Sequence, residues 1–158
     1  MTDVDALFDR WERAWSGRDP AAFAEVCVED VHYEDPLTPE PLTTLRALGR
    51  HAERLWLAAP DARVNSTGAR LRTEKFACAP CRILGTHTGA LGRVAPTGRA
   101  LDVHAVVYAE LDPDSGKMLR ARAFFDVYRA AMALGVLPKH GTAGERALLM
   151  LRGFGLRG

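Results

Sequence analysis

Asp126, His104 and His87 are the side chains whose types and spacing fit proton transfer beside a carbonyl group. Asp126 stands in Phe124-Phe125-Asp126-Val127. In an extended strand the period of two puts Arg120, Arg122, Phe124 and Asp126 on one face. Apolar neighbours on both sides predict a buried carboxyl, and burial raises its pKa toward neutrality. Such a group suits removal of a proton from carbon next to a carbonyl, a role worth about 10²–10⁴-fold in rate. The same carboxylate could instead pair with Arg122 or cap a helix that starts after Val127. His104 shares a strand face with Asp102, Val106 and Tyr108. The turn at 112–116 brings 103–104 roughly opposite 125–126, so His104 and Asp126 are expected as cross-strand neighbours, an acid/base pair or a structural histidine beside a carboxylate. His87 lies in Gly85-Thr86-His87-Thr88-Gly89 near a strand end. Facing a pocket mouth it would hydrogen-bond a ligand carbonyl; otherwise it is a satisfied histidine.

Tyr33 offers a phenolic donor to a ligand oxygen, and Asp35 before Pro36 is expected to bond loop amides. Arg122 has three readings: a partner for Asp126, a grip on a substrate carboxylate or oxyanion, or a solvated surface charge. Trp15, Trp56, Tyr108 and Phe124 are the aromatic groups expected to shape the substrate-binding walls. Cys78-Ala79-Pro80-Cys81 lacks the second ligand pair of a structural zinc site, and its cysteines fall on opposite faces of a strand. The five histidines show no metal-ligand spacing. No G-x-x-x-x-G-K-[ST] or G-x-S-x-G stretch is present. The expectation is a site without metal or cofactor.

These side chains need elements to hold them. Leu7, Phe8, Trp11, Ala14 and Trp15 make one helical stripe after a cap at Thr2 or Asp3. Asp19-Pro20 restarts a short helix over 21–28, and a brief strand follows at 31–35. The spacing of Leu45, Leu48, Ala52, Leu55 and Trp56 predicts a helix from Thr43 or Thr44 to Leu57. The period then changes to two. Four strands are predicted over 62–73, 76–89, 100–111 and 117–128, with a tail helix over 143–152. Helices first and strands afterwards indicate the α+β class, a curved, mostly antiparallel sheet packed against N-terminal helices and enclosing a conical pocket.

Gly85 to Gly89, followed by Ala95-Pro96-Thr97-Gly98-Arg99, resembles the SnoaL-like polyketide cyclase family of the nuclear transport factor 2-like superfamily. So do Asp30-Val31-His32-Tyr33-Glu34-Asp35-Pro36 and the closing strand from Lys117 to Val127. The resemblance covers roughly 5–137. It implies a cone-shaped α+β barrel, usually dimeric, with an acid/base aspartate at the position of Asp126. An arginine at 122 departs from the family, which commonly has an aromatic or neutral residue there.

At 158 residues, 47% apolar and 26% charged, with a net charge of +1, the chain reads as one globular domain over 1–158, core 5–137 and helical tail 138–158. Scattered basic residues argue against nucleic acid as a partner. The acidic N-terminus and the lack of a long apolar run argue against export and a membrane span. Three cysteines fit reduced thiols in a cytoplasm. The expected function is a cofactor-independent aldol cyclase or isomerase acting on a small apolar carbonyl compound. The alternatives are a non-catalytic small-ligand-binding protein and an epoxide hydrolase-like enzyme with Arg122, Asp126 and Asp102. A homodimer is expected, with Val103, Ala105, Val107 and Ala109 as one face for it.

Overall fold

The computed structural model describes residues 3–155, with side chains described as far as residue 150. Thr2 and the last three tail residues, 156–158, lie outside the described residues. Helix α1 spans Val4–Gly17 and is capped by the Asp3 carboxylate, which accepts the Asp5 N–H at 2.9 Å. Its stripe of Leu7, Phe8, Trp11 and Ala14 is buried, and Arg18 ends it in the left-handed region at φ 60°. Asp19 caps the next turn, accepting Ala21 N–H at 2.9 Å. That turn is a 3-10 helix, Pro20–Glu25, and not a helix reaching residue 28. Cys27 and Val28 instead enter strand β1, Cys27–Glu34, where Cys27 is buried in the core.

Helix α2, Leu45–Ala58, starts from Thr44, whose hydroxyl accepts Ala47 N–H at 3.1 Å. It buries Leu48, Ala52 and Trp56, packing on the Pro20–Glu25 turn and β1, with Trp56 stacked on Phe23. The Trp56 indole donates to the Trp15 carbonyl at 2.7 Å, tying the two helices together. The predicted strand 62–73 is two pieces, β2 Arg63–Ser66 and β3 Leu71–Arg72. The register locates the break: Ser66 pairs with Cys81 and Leu71 with Cys78, so residues 67–70 stand opposite only Ala79 and Pro80, and Pro80 has no N–H for the ladder. Beside the break, the nearly buried Arg70 guanidinium turns to Asp9 at 2.7 Å and Glu12 at 2.8 Å on α1.

Strands β4 (Phe76–Thr86), β5 (Ala100–Leu111) and β6 (Met118–Phe125) form the antiparallel centre. The order is β1-β6-β5-β4-β2, with β3 also on β4 and β1 parallel to β6. Asp112 accepts Ser115 N–H at 2.9 Å in the β5–β6 turn, and Gly116 closes it at φ 67°. Ala105 pairs with Phe125, so the register is the expected one. Helix α3, Val127–Ala133, follows β6 at once, and α4 covers Ala143–Gly155.

The result is a mixed α+β fold with helices on a curved, open sheet, as the residue pattern indicates. One assignment of faces is reversed. Val103, Ala105, Val107 and Ala109 are all buried and face the helices, so they are core and not a surface for a second subunit. The outward face carries His104, Val106, Tyr108, Arg122 and Phe124.

Candidate functional site

Between the helices and the inner face of the sheet lies a cavity of about 240 Å³. It exists because the inner sheet positions there include small residues: Ala105 on β5 and Ala123 on β6 leave the space that Trp11, Trp15 and Trp56 wall from the helix side. Ile83, Val103, Val107 and Phe125 complete the sheet wall, and Ala130 and Ala131 of α3, with Leu134 just after it, close one side. Apolar walls with few polar groups are the common form of a small-molecule site.

Polar chemistry enters at the end of β1. Asp35 lines the cavity and is 8% exposed. Its Oδ2 accepts the Tyr33 hydroxyl at 2.9 Å and bonds His51 Nε2 at 2.7 Å, while Oδ1 accepts Leu37 N–H at 2.7 Å. The Arg54 guanidinium, which can only donate, lies 3.1 Å from His51 Nδ1. His51 Nδ1 is therefore the acceptor, and Nε2 carries the proton given to Asp35. Burial pushes the Asp35 carboxyl up, but the bonds from His51, Leu37 and Tyr33 outweigh it and hold the carboxyl below its usual range. The Tyr33 phenol is pushed well above its usual range, by burial first and then by the neighbouring Asp35 charge. It stays a donor.

His87 lines another part of the cavity and is 3% exposed. Backbone bonds fix it in place: His87 N–H donates to the Arg99 carbonyl at 2.9 Å, and Gly98 N–H donates to the His87 carbonyl at 2.8 Å. Gly98 makes this return at φ 67°. Just beyond, a Cβ on Gly89 would stand 1.8 Å from the Leu57 carbonyl oxygen, so only glycine lets this loop dock on the end of α2. Cys81 also lines the cavity, its thiol pushed up to about 11 mainly by burial.

Of the residues singled out from sequence, Tyr33, Trp15, Trp56 and His87 meet at this cavity. Asp126, His104, Tyr108, Arg122 and Phe124 do not line it and stand exposed. Asp126 caps α3, its Oδ1 accepting Arg129 N–H at 2.9 Å. Arg122 pairs with Glu34 rather than Asp126, and lies 5.9 Å from the Phe124 ring centre. Tyr108 stacks on Phe76 with ring centres 5.7 Å apart. Asp102 is bonded to Arg82, so an arginine held between Asp102 and Asp126 does not form. The alternation holds, but Ala105, Val107 and Ala123 face the helices, and Arg122 and Phe124 face away from them. Both faces carry apolar residues, and the larger aromatics happen to lie on the outer one.

The residues missed were the pairing of Asp35 with His51. The signal was present: His51 lies three residues after Leu48 and one before Ala52, on the apolar stripe of α2. A histidine on that stripe needs a buried partner. No group of three His, Cys, Asp or Glu able to hold a metal ion occurs among the described residues, and no described helix is long and apolar enough to cross a membrane.

The family model for SnoaL-like polyketide cyclase matches residues 5–134. The chain belongs to this family. No curated protein matches the chain. Among solved structures this SnoaL-like chain is similar to TsrD from Streptomyces laurentii, with TM-score 0.75, 16% identity, and coverage of 87% of this chain and 100% of that one. It is also similar to AclR from Streptomyces galilaeus, with TM-score 0.72, 19% identity, and coverage of 95% and 92%. A Catenulispora acidiphila protein with a ketosteroid isomerase-like fold gives TM-score 0.71, 14% identity, and coverage of 84% and 95%. At such identities these likenesses establish the shared fold and leave the reaction to the site residues.

Proposed function

We propose that this SnoaL-like protein is a cofactor-independent enzyme that moves a proton at carbon beside the carbonyl of a small apolar compound, as an aldol cyclase or an isomerase does. The observation that carries this reading is the Asp35 carboxylate, buried at the wall of an apolar cavity and held by Tyr33, His51 and Leu37. Three donors occupy it, and a carboxylate has about four acceptor sites. One site on Oδ1 is left for a substrate proton.

In the proposed step the substrate C–H bond breaks and an Asp35 O–H bond forms. The electron pair becomes the C=C bond of an enolate, and the charge passes to the carbonyl oxygen. In an isomerase Asp35 returns the proton to another carbon. In an aldol cyclase the enolate carbon attacks a second carbonyl of the same molecule, and Asp35 protonates the new alkoxide. The role read from sequence for Asp126 passes to Asp35 in this account, and that of its partner His104 to His51.

Exchange of α-protons of cyclic ketones in deuterated water, followed by NMR, tests the step. Asp35→Asn should slow the protein-catalysed exchange by about 10²–10⁴-fold. Unchanged exchange would return the protein to the alternative of a ligand-binding protein without catalysis. The outer sheet face, with Phe76, Val106, Tyr108 and Phe124 exposed, supports a homodimer, which sedimentation at micromolar concentration would test. Free Cys27, Cys78 and Cys81 support a cytoplasmic setting.

A further inference from the structure

Asp35 as a base leaves one need unmet. Its donors keep it charged and therefore weakly basic, so the enolate oxygen requires a donor of its own. His87, one of the residues lining the cavity, carries a group that fits. His87 Nδ1 lies 3.3 Å from the Thr97 backbone N–H, which can only donate to it, and 3.1 Å from the Thr97 hydroxyl. Nδ1 is thus the acceptor and the proton sits on Nε2. That Nε2 is fully buried and has no hydrogen-bond partner among the described residues. A buried N–H without a partner costs free energy unless a ligand satisfies it.

We infer that His87 Nε2–H is the donor to one oxygen of the ligand, and that the ligand class is a small uncharged ketone and not a carboxylic acid. The donor is neutral, since Thr97 occupies the other ring nitrogen. The cavity already contains the Asp35 charge, which repels an anion, and Arg63, the cationic residue of the lining, is exposed. A volume of 240 Å³ is below the roughly 300–1,000 Å³ usual for drug-sized ligands, which suits one or two rings. Thr97 is a positioning residue: it fixes the tautomer and turns the donor edge away from itself. The inference rests on the proton-transfer reading, because that reading puts a carbonyl in the cavity.

The test uses the full chain and three probes of one frame: α-tetralone labelled at its carbonyl carbon, tetralin, and a tetralin carboxylate. Quenching of tryptophan fluorescence reports affinity, since Trp11, Trp15 and Trp56 line the cavity. The ketone should bind more tightly than the other two, and its carbonyl resonance should move downfield. His87→Ala should weaken ketone binding roughly 5–10-fold more than it changes tetralin binding, and abolish the downfield move. His87→Gln, which keeps an N–H donor, should restore part of the move. Asp35→Asn should keep the move while losing α-proton exchange. A carbonyl resonance that does not move in the unmodified protein, or tetralin or the acid binding as well as the ketone, overturns the inference without any variant having to fold. A moved resonance without α-proton exchange leaves the His87 donor standing and removes the Asp35 reading instead.

Discussion

Replacing His51 by leucine separates a positioning role from simple packing. His51 is 2% exposed, and its Nε2–H is the closest side-chain donor to Asp35, at 2.7 Å. Leucine fills the space beside Trp15 and Tyr33 but donates nothing. The loss is one hydrogen bond to a charged group, about 1.5–3 kcal/mol of stability at pH 7. Of the effects that lower the Asp35 carboxyl, the His51 bond is the largest, and burial, which raises it, remains. Asp35 therefore titrates higher in the variant. The sign follows from linkage: a carboxyl depressed in the folded state contributes stability above its unfolded value, near 3.9, and loses that contribution as pH falls through its folded value. The variant should lose this contribution at a higher pH than the parent. The acid limb of α-proton exchange should move up in pH in parallel, because exchange needs the ionised form. Urea denaturation followed by tryptophan fluorescence reads the first effect, and an exchange–pH profile reads the second. A stability change below about 0.5 kcal/mol, with an acid limb that stays in place, would refute the coupling argued here.

Further outcomes follow from the same geometry. Asp126→Ala removes the cap of α3 and should cost about 1 kcal/mol in denaturation, with α-proton exchange unaffected. Arg122→Ala breaks an exposed pair with Glu34; stability should change by less than about 1 kcal/mol and ketone affinity not at all. Thiol labelling near pH 8 should modify Cys78 first. Cys81, pushed up to about 11, and Cys27, pushed up to about 12, are both buried and should react only slowly until urea exposes them.

The elements were legible because each had a local physical cause. Asp3, Asp19 and Thr44 cap where the sequence places caps. The β5–β6 register followed from the Asp112–Gly116 turn. The break at 67–70 lies opposite Pro80, which signals an irregular ladder, but the Arg70 bonds to α1 beside it join residues about 60 apart and have no local signal. The site was read only in part. Trp15, Trp56, Tyr33 and His87 could be named from residue type and position. Alternation groups Arg122, Phe124 and Asp126 without saying which side meets the helices, and small alanines, not large aromatics, mark the cavity side. The Asp35–His51 bond joins residues 16 apart on a strand end and a helix, a contact that periodicity does not report.

The central claim is that the carboxylate at the cavity, and not the one at the start of α3, moves the proton. The most direct measurement compares α-proton exchange of α-tetralone in deuterated water for the parent, Asp35→Asn and Asp126→Asn. Asparagine is as good a helix cap as aspartate, so the second variant keeps α3 intact. Exchange should fall by about 10²–10⁴-fold in Asp35→Asn and stay at the parent rate in Asp126→Asn. The reverse pattern would contradict the claim and return the proton to Asp126.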